Sequence, residues 1–404
     1  YIPYINHKIG KFIFRLKRGI KGLFLTNNLF VDLGFEYAGP LNGHNIKQLE
    51  TVLERAKKIP RPVVIHVITK KGRGYSPAEN DPATFHGVGP FNTSDGFVEK
   101  FDTTSFTEAF SKKINDLAKN DHRIAAITAA MSKGTGLDYF SRHYKERFFD
   151  VGIAEEHAVT FAGGLAAGGM IPITAIYSTF IQRSVDQMIE DIALQNRHAV
   201  FVFDRAGAVP SDGETHQGIF DIALFRPVPN LTILSVSSAV DLNICLDWAC
   251  YECKGPVLIR WPKMTCPSEI DVFSSPIQEG RGLFIKADSF APALSEPSGK
   301  KGKVLLFCTG GMYSECLTAA RSLILQDIET CIFSSRFIKP FDIEYFIDTA
   351  KDFNSIVFVE DGVYTGSLSS YLESCILKDP RTSKCHTKIL AFPDTFLPNG
   401  NRSQ

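Results

Sequence analysis

Short apolar runs rich in Val, Ile and Phe alternate along this chain with longer stretches whose apolar residues recur at helical spacing. That alternation marks parallel strands covered by helices, so the pattern predicts an α/β fold. Predicted strands run over Val63–Thr69, Ile124–Thr128, Ile173–Tyr177, Val200–Asp204, Thr232–Val236 and Val257–Arg260. A later set covers Val304–Thr309, Thr330–Ser334, Ser355–Glu360 and Lys388–Phe392. Ile46–Lys58 and Glu155–Gly168 read as helices, the second stopped by Gly168-Gly169. Ser178–Asn196 reads as one more, because Phe180, Ile181, Val185, Met188, Ile189 and Ile192 share a helical face.

Two stretches break the pattern. Ser76–Asp102 is rich in Pro, Gly, Asn and Asp, and Asp288–Lys303 is Ala, Pro, Ser, Gly and Lys without a core period; both read as linkers. They divide the chain into a first segment at 1–102, a middle domain at 103–285 and a last domain at 300–404. The first segment offers one good strand and one good helix, too few to close an α/β domain, so a part upstream is expected to complete it. No solenoid-length repeat is present.

Composition narrows the classes. The 404 residues are 44% hydrophobic and 22% charged, ordinary for a globular protein, and Lys plus Arg equals Asp plus Glu at 44 each. The balance gives no global attraction to nucleic acid or an anionic membrane, so any phosphate affinity must be local. No apolar run approaches the ~20 residues that span a bilayer, and residues 1–18 lack the apolar core of a signal peptide. Nine cysteines, odd in number and with one close pair at Cys250 and Cys253, read as reduced thiols rather than a zinc site.

Candidate chemistry gathers where predicted strands give way to helices, the place such folds put ligands. Phe148-Phe149-Asp150-Val151-Gly152-Ile153-Ala154-Glu155-Glu156-His157 sets two carboxylates and an imidazole at one junction; carboxylates in a first helical turn also complement the helix dipole. The loop Asp204–Gly218 holds Arg205, Asp212, Glu214 and His216 between glycines, either a working loop or a solvated one. Tyr177–Arg183 is a third junction, in which Phe180 can be core or a platform for a ring. Arg260 stands alone at the end of an apolar strand, placed either to grip a phosphate or to form a buried ion pair.

Together these blocks resemble the 1-deoxy-D-xylulose-5-phosphate synthase family of thiamine-diphosphate enzymes. The matching segments are Ile153–Val159, Tyr177–Arg183, Asp204–Gly207 and Asp212–Gly218, with Gly39–His44, Thr69–Tyr75 and Asp81–His86 upstream and Arg336–Asp342 and Phe392–Asp394 downstream. The resemblance implies a transketolase-like architecture: doubly wound, thiamine-diphosphate-binding parallel-sheet domains followed by a transketolase-type C-terminal α/β domain. It implies decarboxylation of pyruvate and transfer of the two-carbon unit to D-glyceraldehyde 3-phosphate. The product, 1-deoxy-D-xylulose 5-phosphate, feeds isoprenoid, thiamine and pyridoxal synthesis. Glu155 matches the carboxylate on the aminopyrimidine nitrogen of the cofactor, Phe180 the ring that stacks on it, and Ile153 and Tyr75 further cofactor contacts. His86, Asp212 and His216 match positions for acid–base work and substrate contact. Arg205, Arg260 and Tyr177 match the acceptor-phosphate site, and Arg183 a further polar position. A homodimer is implied, in a bacterial cytoplasm or a plastid.

One departure matters. The family holds the cofactor diphosphate through magnesium bound by a Gly-Asp-Gly segment, and this sequence contains none. The resemblance therefore places the metal ligands outside these 404 residues. The nearest rivals are the beta subunit of a 2-oxoacid dehydrogenase, which lacks counterparts to residues 34–86, and transketolase, whose substrate blocks differ from the Asp204–Gly218 loop. A non-catalytic partner that kept the fold is a third, and the intact Glu155, Asp212, His216, Arg205 and Arg260 stand against it.

Overall fold

The computed structural model describes residues 29–97, 103–289 and 302–400. The signal-peptide reading of residues 1–18 and most of the 288–303 linker lie outside the described residues. The described residues fall into two compact units, one on each side of the division between residues 101 and 102.

In the first unit, β1 (Glu36–Asn42) and β2 (Val63–Ile68) run parallel, joined through α1 (Ile46–Ala56). Asn45 starts that helix by accepting the Gln48 N–H at 3.1 Å. The register slips between Ala38 and Leu41, where Pro40 has no N–H to give the ladder. Gly39 lies so close to β2 that a Cβ would stand 2.6 Å from the His66 carbonyl oxygen. The stretch read as a linker from Ser76 carries a helical turn at Ser76–Asn80 and a 3-10 turn at Thr84–His86. Tyr75, Phe85 and Phe91 pack there with ring centroids 5.2–5.9 Å apart. These aromatic contacts hold a Pro- and Gly-rich segment that has no hydrophobic period of its own.

The second unit is built on two sheets. The larger has seven strands: β3 (Ile124–Thr128), β4 (Phe148–Asp150), β5 (Ile171–Tyr177), β6 (Val200–Asp204), β7 (Thr232–Ser235), β8 (Val257–Arg260) and β12 (Phe337–Lys339). Their spatial order is β12-β7-β8-β6-β5-β3-β4, all parallel except β12. β3, β6 and β8 are buried along their whole length, which is why they read as unbroken apolar runs. On β6 the valines 200 and 202 face one side, with α2 (Phe106–Asn120) and α4 (Ala239–Tyr251); the phenylalanines 201 and 203 face the other, with α3 (Glu155–Ala167). Helix α2 begins with a capping box between Ser105 and Glu108.

The smaller sheet has the order β14-β13-β10-β11-β9, from β9 (Leu283–Ile285), β10 (Lys303–Thr309), β11 (Glu329–Ser335), β13 (Ser355–Val363) and β14 (His386–Phe392). Only β9 is antiparallel. Phe307, Phe333, Phe346 and Phe358 fill its inner face and join the apolar cluster that covers one side of the larger sheet. Two strands therefore depart from the boundaries drawn on composition. β9 lies within 103–285 yet edges the C-terminal sheet, and β12 lies beyond residue 300 yet edges the larger one. Arg336, just before β12, is buried where the exchange occurs. It donates to Asp241 at 2.7 Å and to the carbonyls of Ser275 and Phe273. Among the described residues no helix is long and apolar enough to cross a membrane.

Candidate active site

The parallel strands end in register, so Thr128 and Asp150, and Tyr177 and Asp204, finish side by side along one edge. Asp150 shapes the first junction. Its Oδ1 accepts the N–H groups of Ala130 at 2.7 Å and Gly152 at 3.0 Å, and Gly152 takes φ +73°, a conformation open to glycine at no steric cost. The chain then enters α3 with Glu155 in its first turn.

Glu155 is 1% exposed. Its Oε1 accepts Arg183 Nη1 at 2.6 Å, whereas Oε2 is buried without a hydrogen-bond partner. A buried carboxylate oxygen left unsatisfied is costly, and marks a position that wants a donor from outside the chain. Ile153, two residues earlier, is 80% exposed, an apolar side chain left open at the same junction.

Arg183 reaches Glu155 because the helix expected over Ser178–Asn196 is broken. The segment runs as an α turn at Ser178–Ile181, a 3-10 turn at Gln182–Ser184, another α turn at Val185–Gln187 and a π segment at Met188–Ala193. Ser184 bonds its hydroxyl to the Ile181 carbonyl at 2.9 Å, competing with the helical ladder where the break falls. The apolar positions keep helical spacing through the break, so the sequence pattern does not register it.

A line of rings and charges continues from there. The Arg183 guanidinium lies 5.1 Å from the Phe180 ring centroid, and Phe180 is half-buried. His216 meets Phe180 edge-on at 5.3 Å and Tyr177 lies parallel to it at 6.0 Å. The His216 Nδ1 bonds Thr215 Oγ1 at 2.9 Å. Arg205 stacks on Tyr177 with its guanidinium carbon 3.9 Å from the ring centroid. Its φ of +63° is rare for a residue with a side chain, and the loop enforces it. Gly207 and Gly218 exchange backbone hydrogen bonds at 2.8 Å, and a Cβ on Gly218 would stand 2.3 Å from the Arg205 carbonyl oxygen.

From that position Arg205 Nη1 reaches Asp212 Oδ2 at 2.6 Å, while Lys263 Nζ reaches Asp212 Oδ1 at 2.6 Å. Burial pushes the Asp212 carboxyl up, but the Lys263 and Arg205 cations outweigh it and hold the group below its ordinary value.

Arg260 is elsewhere in the electrostatics. It is 1% exposed; Nε and Nη2 donate to Asp221 at 2.8 and 3.2 Å, and Nη1 donates to Asp361 at 2.7 Å. Burial disfavours its charge, yet the two carboxylates more than compensate and raise its pKa. Of the two readings open in the sequence, this geometry is the buried ion pair. His86 and Tyr75 belong to the first unit: His86 is exposed at the end of its 3-10 turn, and Tyr75 donates its hydroxyl to the Thr93 carbonyl at 3.0 Å.

Several residues at this edge escaped the sequence reading. Lys263 lies in the loop after β8, and Asp150 was visible only as a strand end. The loop after β3 covers Tyr177 so tightly that a Cβ on Gly134 would sit 1.6 Å from the tyrosine oxygen; the Gly134-Thr135-Gly136 spacing was the available signal. Asp204, fully buried under Arg205, takes the Thr107 hydroxyl at 2.6 Å. Burial raises its carboxyl from 3.8 to about 6, against the Thr107 bond and Arg205. A carboxyl raised in the folded state contributes stability below its unfolded pKa and loses it as pH rises through about 6. Asp204→Asn should therefore gain on the parent by roughly 1 kcal/mol between pH 5 and pH 8. Urea unfolding at the two pH values checks this; an equal offset at both would refute it.

The chain resembles known proteins in both sequence and fold. Residues 2–69 match the family described as 1-deoxy-D-xylulose-5-phosphate synthase. Residues 102–268 match the pyrimidine binding domain of transketolase, and residues 296–403 its C-terminal domain. The 1-deoxy-D-xylulose-5-phosphate synthase of Treponema pallidum (strain Nichols) is 49% identical over 403 residues, covering 100% of this chain and 62% of the relative. That of Clostridium kluyveri is 40% identical over 409 residues, with the same coverages. The chain is similar to 1-deoxy-D-xylulose-5-phosphate synthases along its whole length. It spans about 62% of the length of the curated relatives it matches. Among solved structures, a chain of a split gene transketolase superposes with a TM-score of 0.61 at 24% identity, covering 73% of this chain and 91% of its own. The transketolase of Campylobacter jejuni gives 0.58 at 17% identity, covering 94% and 66%. These neighbours share the fold, and the family match extends to the first unit, which sets the chain apart from the rival beta-subunit reading.

Proposed function

We propose that the protein uses thiamine diphosphate to decarboxylate pyruvate and pass the two-carbon unit to D-glyceraldehyde 3-phosphate. The products are 1-deoxy-D-xylulose 5-phosphate and carbon dioxide. The observation that carries this reading is the unpartnered Glu155 Oε2, buried beside a half-buried phenylalanine face at a strand end. An aminopyrimidine ring fits that arrangement, because it brings a nitrogen donor for the carboxylate and a flat surface for Phe180. Ile153 gives the ring a second apolar contact, and the family resemblance assigns Tyr75 to the cofactor as well. When bound, the thiazolium supplies the electron sink for decarboxylation, with magnesium on its diphosphate held by groups other than those named here.

The chain's own residues do the rest. Glu155 Oε2 shares a proton with the ring nitrogen, and Arg183 fixes the carboxylate through Oε1. Arg205 and Tyr177 orient the acceptor through its phosphate, placing its aldehyde toward His216. The family resemblance assigns proton transfer to His216, His86 and Asp212. Arg260, enclosed by Asp221 and Asp361, positions the strand end instead of contacting substrate. The family resemblance further assigns a homodimer.

The test supplies the purified protein with thiamine diphosphate, magnesium, pyruvate and D-glyceraldehyde 3-phosphate and follows both products. Turnover should require all four. Turnover with a ketose phosphate donor but none with pyruvate would replace this reading with transketolase.

A further inference from the structure

We propose that Lys263 and Arg205 form one phosphate seat, occupied by the carboxylate of Asp212 until the acceptor phosphate displaces it. Lys263 is then a specificity-determining residue. This rests on the proposed function for the identity of the acceptor, but the seat itself stands on the geometry.

Three segments that are distant in sequence converge on it. Arg205 comes from the strained turn after β6, Asp212 from the 3-10 turn at Pro210–Asp212, and Lys263 from the loop after β8. The two cations take different oxygens of one carboxylate, each at 2.6 Å. Two positive groups facing one carboxylate leave a surplus positive charge. A phosphate monoester, with a charge of about −1.5 to −2 and three acceptor oxygens, neutralises the pair better than a carboxylate does.

Access favours the same group. The side chains of Arg205, Asp212 and Lys263 are 20%, 18% and 41% exposed, whereas that of Arg260 is 1% exposed and bonded to two carboxylates. Ion pairs open to solvent are weak, so a dianion can replace Asp212; the enclosed Arg260 pair offers no such exchange. Arg205 already lies flat on Tyr177, which limits its motion and leaves Asp212 as the member that moves. Displacement also frees the Asp212 carboxylate for the acid–base role assigned above, only when an acceptor is bound.

Inorganic phosphate titrated calorimetrically into the purified chain tests the seat without requiring turnover. The parent should bind, Lys263→Gln should bind about tenfold more weakly, and Asp212→Asn should bind several-fold more tightly because the competing anion is gone. Matched melting temperatures exclude misfolding as the cause. No uptake by the parent, equal affinity in Lys263→Gln, or weaker binding in Asp212→Asn would each overturn the seat.

The second arm uses turnover. Lys263→Gln should raise the KM for D-glyceraldehyde 3-phosphate at least tenfold with the KM for pyruvate unchanged, and Lys263→Arg should restore most of it. With unphosphorylated D-glyceraldehyde as acceptor, the loss of kcat/KM in Lys263→Gln should be several-fold smaller than with D-glyceraldehyde 3-phosphate. If phosphate binds as described but pyruvate is not turned over, the proposed function fails and the seat remains. If turnover occurs and both substitutions leave phosphate affinity and KM unchanged, the seat fails and the function remains.

Discussion

Glu155→Gln should lower turnover by on the order of a thousandfold with cofactor saturating, at the upper end of what removal of one preorganised electrostatic group costs. The two carboxylate oxygens have separate employments: Oε1 receives Arg183 Nη1 at 2.6 Å, and Oε2 is buried without a partner. Glutamine retains the shape and one acceptor oxygen. Turning its NH2 toward Arg183 would set two donors against each other, so the amide oxygen must take the arginine. That puts a donor where Oε2 stood, facing a site that needs an acceptor. The fold should survive, because the substitution removes a buried charge that is only half satisfied. Turnover measured beside an unfolding curve separates the two effects. Near-normal turnover in a folded variant would sink the Glu155 assignment.

The parts of this molecule that could be read from sequence are those where local pattern and tertiary environment agree. β3, β6 and β8 are buried on both faces, so their apolar runs carry the whole signal, and their predicted ends fall where the structure puts them. The same applies to Glu155, since a carboxylate opening a helix after a strand is a local event. β9 and β12 were not legible. Each is three residues long and antiparallel at a sheet edge, and each takes its identity from the sheet it joins. The break between Phe180 and Leu194 was hidden because its apolar residues keep helical spacing while the backbone changes hydrogen-bond partners. For charged residues, the partner decides the role and lies far along the chain. Lys263 is 51 residues from Asp212, and Arg260 is 39 and 101 residues from its two aspartates. No spacing rule reaches that far. Arg205 and Arg260 look alike as lone arginines at strand ends, yet one is open and stacked on tyrosine and the other enclosed.

Arg260→Ala should destabilise the folded protein by about 3–5 kcal/mol, since it leaves two buried carboxylates uncompensated. Asp221 accepts the Ile222 N–H at 2.8 Å and the Ser178 hydroxyl at 3.0 Å. Asp361 takes the Thr309 hydroxyl at 2.7 Å from β10. The guanidinium therefore ties β8 of the larger sheet to β13 of the smaller, and its loss should be felt in both. Urea unfolding should show the transition midpoint falling, and both substrates should suffer together where the variant stays folded. Replacing all three residues at once, Arg260→Leu with Asp221→Asn and Asp361→Asn, should recover much of the loss, since an apolar or neutral set removes the desolvation cost along with the attraction. The phosphate role implied by family resemblance predicts the opposite pattern. In that case Arg260→Ala would keep its unfolding midpoint and lose affinity for D-glyceraldehyde 3-phosphate alone. With the guanidinium's donors already on Asp221 and Asp361, the physical argument favours the drop in stability, and one unfolding curve of the variant decides between them.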